Sequence, residues 1–490
     1  MYLHQLVKFF HVWSSIWPIL MKKQLLDSFH RIFDRIEQGD THLSGEDVTS
    51  LRQIFLLLSI TSCHDHAHDD SRMYYDCAFK CAHLCPQTGD LSELQSILLT
   101  SLYLQLTRQH APWIGISGQA VRLAQSLGLH RHSRRFKFCA GEVELRKRIW
   151  WCVYAVDIAC SIVHGLPKMI QDEDVDTDLP IDADLDDSTT ADLPLPLPGE
   201  PTNMEIFISY IRLLKIISAC LKSLYTTTKR RNGVTKITTL DQELSVWRNS
   251  IGHLQPRGAE RDEELVEGPR TNSNYHYFEM EFLGFLSNVA LLLIHQPALT
   301  FDQKHPQFMK SLSTCVNAGS NILRTLDHNK DDIRLHCLLP NRSSIVFKSA
   351  LMCFYHHWIC TSLSLTPTVD LDMSLEKISN IATRLLQSHK VELGGPGIDT
   401  TSELDRHTLS TAIHLIWEFW SHHEAPRTAS FSPHQSTPRL GQGHSTYFHT
   451  QAIGIDSAEL GANSRPEASM EIGHVDLGIL DEGLLDFDWL

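Results

Sequence analysis

The chain has 490 residues, of which 42% are hydrophobic, 21% charged and 8% aromatic. That balance belongs to a globular protein and excludes a wholly disordered, collagen-like or disulfide-scaffold chain. Asp and Glu number 58 against 43 Lys and Arg, a net charge of −15, so a surface for a polyanion would have to be local. At roughly 100–200 residues per domain the length allows two to four units, or one large helical body with tails.

The opening residues (MYLHQLVKFFHVW) are apolar but lack the basic start and small-residue cleavage site of a signal peptide. Twelve cysteines without such a signal point to a reducing compartment and reduced thiols, and the triplet Asn341-Arg342-Ser343 is then a chance glycosylation match. Ser44 reads as an N-cap before Leu51, Ile54, Phe55 and Leu58, whose spacing predicts one apolar helical face. Ser92 followed by Gln95 has capping-box form and predicts a helix carrying Leu94, Ile97, Leu98 and Leu102. A third helix starts near Pro112, runs through Ala120, Val121 and Ala124, and stops with Gly128 at C′. Its Gly115, Gly118, Ala120 and Ala124 are small enough for a neighbouring helix to approach closely.

The strongest helix is predicted from Glu142 to His164. It is apolar nearly all round, which places it in the middle of a large body, and Gly165 and Pro167 end it. Residues 172–192 then hold ten carboxylates with no Lys or Arg and run into LPLPLPGEP, an exposed acidic, proline-rich crossing between two helical halves. Residues 250–274 read as a polar loop. No segment reaches the roughly 18–20 uninterrupted apolar residues of a membrane span; the nearest, Phe282 to Leu299, contains Asn288, His295 and Pro297 and reads as a buried helix, so no membrane partner is expected. Period-two alternation is absent, and the fold class is all-α: a large multi-helix bundle over 1–423, a disordered linker over 424–474, and an acidic, hydrophobic tail over 475–490.

Few motifs carry chemistry. Cys63, His64, Asp65, His66, His68, Asp69 and Asp70 are metal-ligand types, and a metal-dependent helical hydrolase at His64, Asp65, His66 and His68 is the alternative to a non-enzymatic reading. Ligands packed into one short loop cannot enclose an ion, however, so a polar loop is the expectation. Cys77, Cys81 and Cys85 form a drifting helical stripe, read as core. There is no C-x-x-C, P-loop, Gly-rich dinucleotide turn, G-x-S-x-G or H-E-x-x-H, so no enzyme and no bound cofactor are expected. Arg122, Arg131, Arg134, Arg135, Lys137, Arg146, Lys147 and Arg148 form a basic cluster, read as solvated helix ends with the downstream carboxylates as internal partners; phosphate, an acidic partner or an import receptor are the alternatives. Between Val475 and Leu490, five carboxylates interleave with Leu484, Leu485, Phe487, Trp489 and other apolar residues. Such charge holds bulky side chains in solvent until a coactivator groove accepts them as an amphipathic helix; the alternative is a helix docked on its own domain.

WIGISGQAVRLAQSLGLH at 113–130, RKRIWWCVYAVDIACSIVHGLP at 146–167 and DEDVDTDLP at 172–180 together resemble the fungal-specific transcription factor domain, the helical regulatory region of zinc binuclear cluster activators. LVKFFHVWSSIWPIL at 6–20 and LLLIHQPAL at 291–299 are similar to other family segments. The matching positions are Gly128, His130, Arg148, Trp150, Trp151, Asp157, Gly165 and Pro167, while Leu166 stands where the family usually has Arg. The resemblance implies a nuclear transcription regulator, with Trp150, Trp151 and Asp157 as scaffold residues and the tail presented to the transcription machinery. It also implies control of secondary-metabolite or nutrient-use genes, and regulation by a small effector or a partner protein. The family's six-cysteine zinc cluster is not found in these residues, so DNA contact is expected from a module elsewhere or from a zinc-cluster partner; a homodimer is the other partner expected. A dimerising inhibitor without activation function is the remaining alternative.

Overall fold

The computed structural model describes residues 2–38, 43–84, 89–132, 138–182, 185, 203–226, 232–252, 277–329, 334–337, 342–363, 373–387 and 400–423. Every regular element among them is helical. In chain order these are α1 (Tyr2–Trp13), α2 (Lys22–Glu37), α3 (Gly45–His64), α4 (His68–Leu84), α5 (Leu91–Leu106), α6 (His110–Ser126), α7 (Ala140–His164), α8 (Asn203–Leu224) and α9 (Gly233–Ser250). They continue with α10 (Tyr277–His295), α11 (Pro306–His328), α12 (Arg334–Cys337), α13 (Arg342–Ser362), α14 (Leu375–Gln387) and α15 (Thr400–His423). The chain divides into two units, one built on Met1–Glu418 and one on Phe419–Phe487, and α1 to α14 lie wholly in the first. The tail residues Leu484, Leu485, Phe487 and Trp489, the LPLPLPGEP run, Cys85, Arg134, Arg135, Lys137 and most of the 250–274 loop lie outside the described residues.

The helix signals of the sequence have identifiable causes. Ser44 caps α3 in a reciprocal box: its hydroxyl accepts from the Asp47 amide at 3.2 Å, and the Asp47 carboxylate accepts from the Ser44 amide at 3.2 Å. Asp47 also pairs with Arg31 and Arg35 of α2 at 3.1 and 2.7 Å, so the cap fixes the neighbouring helix as well. The Ser44 hydrogen bond and these two guanidinium groups hold the Asp47 carboxyl below its ordinary value. The single apolar face predicted for α3 is too narrow. Residues from Gln53 through Cys63 are buried almost without a break, because α3 packs against α1, α4 and α5 at once.

Gly128 follows Leu127, the C-cap of α6, with φ +70°, and Gly165 caps α7 with φ +63°, both in the left-handed region that glycine adopts without penalty. The predicted cap of α5 is displaced. The helix begins at Leu91, and Asp90 is its N-cap, accepting from the Glu93 amide at 2.9 Å. Gln95 is not available to complete a box with Ser92, because its amide is buried and donates to the Ile19 carbonyl at 2.7 Å.

α7 lies at the centre, with Trp150, Trp151 and Tyr154 fully buried. α10 is apolar enough over Phe278–Thr300 to cross a membrane by length and composition, and 72% of that window is buried inside the protein. It packs on α8 and α11, and α11 packs in turn on α13. The small residues of α6 divide. Ala120 and Ala124 are buried, whereas Gly115 is exposed with open space beside it. Among the described residues, the tightest glycine contact in a helix is instead at Gly319 of α11, where an added Cβ would lie 3.0 Å from the Ser349 carbonyl oxygen of α13.

Candidate functional site

The residues singled out around α7 meet in one polar node that fastens the acidic strip to three helices. Asp157 is buried on α7, and its two carboxylate oxygens accept the Met169 and Ile170 amides at 3.1 and 2.9 Å. It thereby holds the chain as it leaves Gly165 and Pro167. Burial pushes the Asp157 carboxyl up, opposed by these two amides. Fifteen residues on, Asp172 accepts from the Tyr154 hydroxyl at 2.6 Å, from Lys168 at 2.8 Å and from Ser218 of α8 at 2.5 Å. Burial alone would raise the Asp172 carboxyl, but the Lys168, Ser218 and Tyr154 hydrogen bonds win and leave it below its ordinary value.

The strip continues over the surface of α7. The Asp176 and Thr177 amides both donate to the His130 carbonyl, at 2.8 and 3.1 Å, which joins the end of α6 to the strip. The His130 ring lies 5.8 Å from Trp150, and burial followed by the Arg131 charge lowers its pKa. The Trp151 indole donates to the Asp178 carbonyl at 3.0 Å, and the Ile181 amide donates to Glu144 at 2.9 Å. Glu144 is buried with Arg148 one turn along α7 and Lys147 beside it, each 3.5 Å away; burial raises its carboxyl, and the two cations oppose the rise. Each carboxylate of the node is thus occupied in holding peptide amides and neighbouring side chains.

The basic cluster is less exposed, and paired differently, than its sequence implies. Arg148 is buried against Glu144 of its own helix. Arg146 donates to the Leu127 carbonyl at 2.8 Å with its guanidinium 4.4 Å above the Phe138 ring. The acidic strip finds its partners elsewhere: Asp172 on Lys168, Glu173 on Lys222 of α8, and Asp178 on the His132 ring.

The residues of the hydrolase reading do not converge. Asp65 pairs with Lys8 of α1, Cys63 is buried with its thiol pushed up to about 11 by desolvation, and the His66 and His68 rings touch each other edge to face. Among the described residues no group of three His, Cys, Asp or Glu side chains forms a metal-ligand set. Sequence reading missed a different alignment, in which Asp241 of α9, His295 of α10 and Ser311 of α11 stand in a row. His295 lies 3.4 Å from Asp241 and 3.0 Å from the Ser311 hydroxyl. Ser311 has no exposed surface and receives a further hydrogen bond from Gln307, so the row ties three helices together and presents no nucleophile to a substrate. Nothing in the spacing of these residues could have revealed it.

Residues 6–249, about half of the chain, match the model of the fungal specific transcription factor domain. The chain belongs to this family. Transcriptional activator protein acu-15 of Neurospora crassa is 26% identical over 351 residues, covering 71% of this chain and 36% of the relative. An ABC-transporter-regulating transcription factor of Aspergillus fumigatus is 33% identical over 172 residues, covering 34% of this chain and 19% of the relative. Thiamine repressible genes regulatory protein thi1 of Schizosaccharomyces pombe is 26% identical over 219 residues, covering 44% and 27%. The chain spans little more than a third of the length of the first of these relatives. The departure from the family pattern at Leu166 has a structural counterpart. Its side chain is 41% exposed, Asp157 is satisfied by backbone amides, and Lys168 two residues later supplies the cation to the strip.

Proposed function

We propose that this chain is the regulatory body of a nuclear transcription activator that controls a metabolic gene cluster, secondary-metabolite or nutrient-use. Its promoter contact comes from a zinc-cluster module or partner, and its acidic tail engages the transcription machinery. The family match over residues 6–249 carries this reading, and the node supports it. The motif residues Trp151, Asp157 and His130, together with Glu144, are spent on holding the acidic strip against α7 and the end of α6. The tail supports activation through its composition, five carboxylates among Leu484, Leu485, Phe487, Trp489 and their apolar neighbours.

The test fuses the full chain to a foreign DNA-binding domain and reads a reporter. The intact fusion is expected to activate, and Phe487→Ala with Trp489→Ala is expected to return the reporter to background with protein level unchanged. Full activity in the double variant overturns the role of the tail. A silent intact fusion that co-purifies with a zinc-cluster protein overturns activation in favour of a dimerising inhibitor.

A further inference from the structure

α2 meets the body on one side only. Of its 16 residues, Leu25 and Ile32 are the buried ones, and Arg31 and Arg35 reach Asp47 of α3 at 3.1 and 2.7 Å. Those contacts fix which way the helix faces. A second apolar row remains: Leu26, Phe29, Phe33 and Ile36, whose alternating spacing of three and four is that of the a and d positions of a heptad. Its first half leans on the core, with Leu26 and Phe29 partly buried, whereas Phe33 and Ile36 are 45% and 53% exposed. The Phe29 and Phe33 rings stack with centroids 6.0 Å apart, so the row continues from the packed half into the open one. Single apolar side chains on a surface need no explanation, but four in heptad register on one helix form a seam for another helix.

The charges beside the seam say which helix. Lys22 and Lys23 open α2, no acidic residue stands in its first turn, and Glu37 closes it. Each lies at the end that the helix's own dipole disfavours, because cations are stabilised at the C-terminal end and anions at the N-terminal end. An antiparallel neighbour of the same sequence reverses that relation. Lys23 and Glu37 are e positions on one flank of the seam, with His30 between them donating from Nδ1 to the Leu26 carbonyl at 2.7 Å. In an antiparallel pair that flank faces its own copy, and charges there set orientation. The register that puts Leu26 on the second copy's Ile36 also puts Phe29 on its Phe33, and it brings Lys23 alongside the second copy's Glu37 at both ends. A parallel pair gives no such match, because Glu37 would then face Ile32, which is buried in the core.

We propose that α2 is a contact surface between two copies of this chain, packed antiparallel along the seam of Leu26, Phe29, Phe33 and Ile36. The contact is isologous, so each Lys23–Glu37 pair occurs twice. A seam of this length falls short of the about 1,200–2,000 Å² that a standard interface buries, so the pair forms and separates with concentration. The inference stands on α2 alone; a chain that stays monomeric leaves the transcription reading untouched.

The experiment is sedimentation velocity on the full chain over a wide range of concentration, where a reversible monomer–dimer equilibrium is expected. Phe33→Ser with Ile36→Ser, both at exposed positions, should weaken dimerisation about tenfold or more with circular dichroism unchanged. Lys23→Glu and Glu37→Lys should each weaken it about fivefold, because each sets like charges together at both ends of the seam. Combined in one chain, or mixed as two single variants, the reversals should restore dimerisation to within about twofold of wild type. Antiparallel self-pairing through α2 gives that rescue and a parallel pair does not. The proposal is overturned by a chain that is monomeric throughout the range, by a dimer that survives the Phe33 and Ile36 substitutions, or by charge reversals that fail to rescue each other.

Discussion

The turn after α7 and the crossing of α11 with α13 belong to the same body, yet they are held by opposite means. At the turn, Asp157 and Glu144 of α7 accept amides from the segment that follows it, and Asp172 of that segment accepts hydroxyls from Tyr154 of α7 and Ser218 of α8. At the crossing, Leu312, Cys315, Val316, Leu323, Val346 and Cys353 have no exposed surface, and the closest approach is backbone to backbone at Gly319 and Ser349. Polar clamps decide where an irregular segment runs, since its amides find partners in only one placement. Apolar contact without such clamps decides how near two helices come, and small residues set that distance.

Removing a clamp should therefore cost more than crowding a crossing. Asp157→Ala leaves the buried Ile170 amide and the part-buried Met169 amide without acceptors, and with about 1–3 kcal/mol per orphaned group a loss of about 3 kcal/mol is expected in urea unfolding. Asp157→Asn keeps one acceptor and should fall between the two. Wild-type stability in the Ala variant would mean that the Lys168–Asp172–Ser218 contacts hold the turn alone.

At the crossing, Gly319→Ala sets two effects against each other. Alanine in place of a helical glycine gains about 1 kcal/mol from propensity. The new Cβ, however, would meet the Ser349 carbonyl at 3.0 Å and its Cα at 3.1 Å, atoms that move only if a helix moves. Overpacking of that kind costs about 1–3 kcal/mol, so a net loss of about 1 kcal/mol is expected, and more for Gly319→Val. A net gain in the Ala variant would show that α11 and α13 yield easily, and the contrast between the two regions would weaken.

The same contrast explains what could be read from the sequence. Signals that act within one helix were legible: the Ser44 cap, the glycines at Gly128 and Gly165, and the nearly continuous apolar surface of α7. Signals whose partner lies elsewhere in the fold were not. The acidic strip has a basic cluster close by in sequence, but Arg148 is taken by Glu144, and the strip turns to Lys168 and to Lys222 of α8, brought near only by folding. Gly319 has no local reason to be glycine, because its reason is the backbone of α13. The carboxylates of the node were visible as a charge run, while their role as amide acceptors depends on a loop path that no periodicity encodes.

Two overlapping cap signals test that lesson at its simplest. Asp90 with Glu93 and Ser92 with Gln95 each have the spacing of a capping box, and local pattern alone points to Ser92. The structure uses Asp90, with Glu93 reaching back to the Gly89 amide at 2.7 Å, because Gln95 is committed to Ile19 across the core. Asp90→Ala should cost about 1 kcal/mol, the usual loss of an N-cap acceptor, while Ser92→Ala should stay within about 0.5 kcal/mol. A Gln95→Leu variant sharpens the point. It frees the Ile19 carbonyl and removes the second box, so if local pattern decided the start of α5 it would leave the cost of Asp90→Ala unchanged and add nothing of its own. If the tertiary contact decides, Gln95→Leu should itself destabilise by about 1–3 kcal/mol through the orphaned buried acceptor.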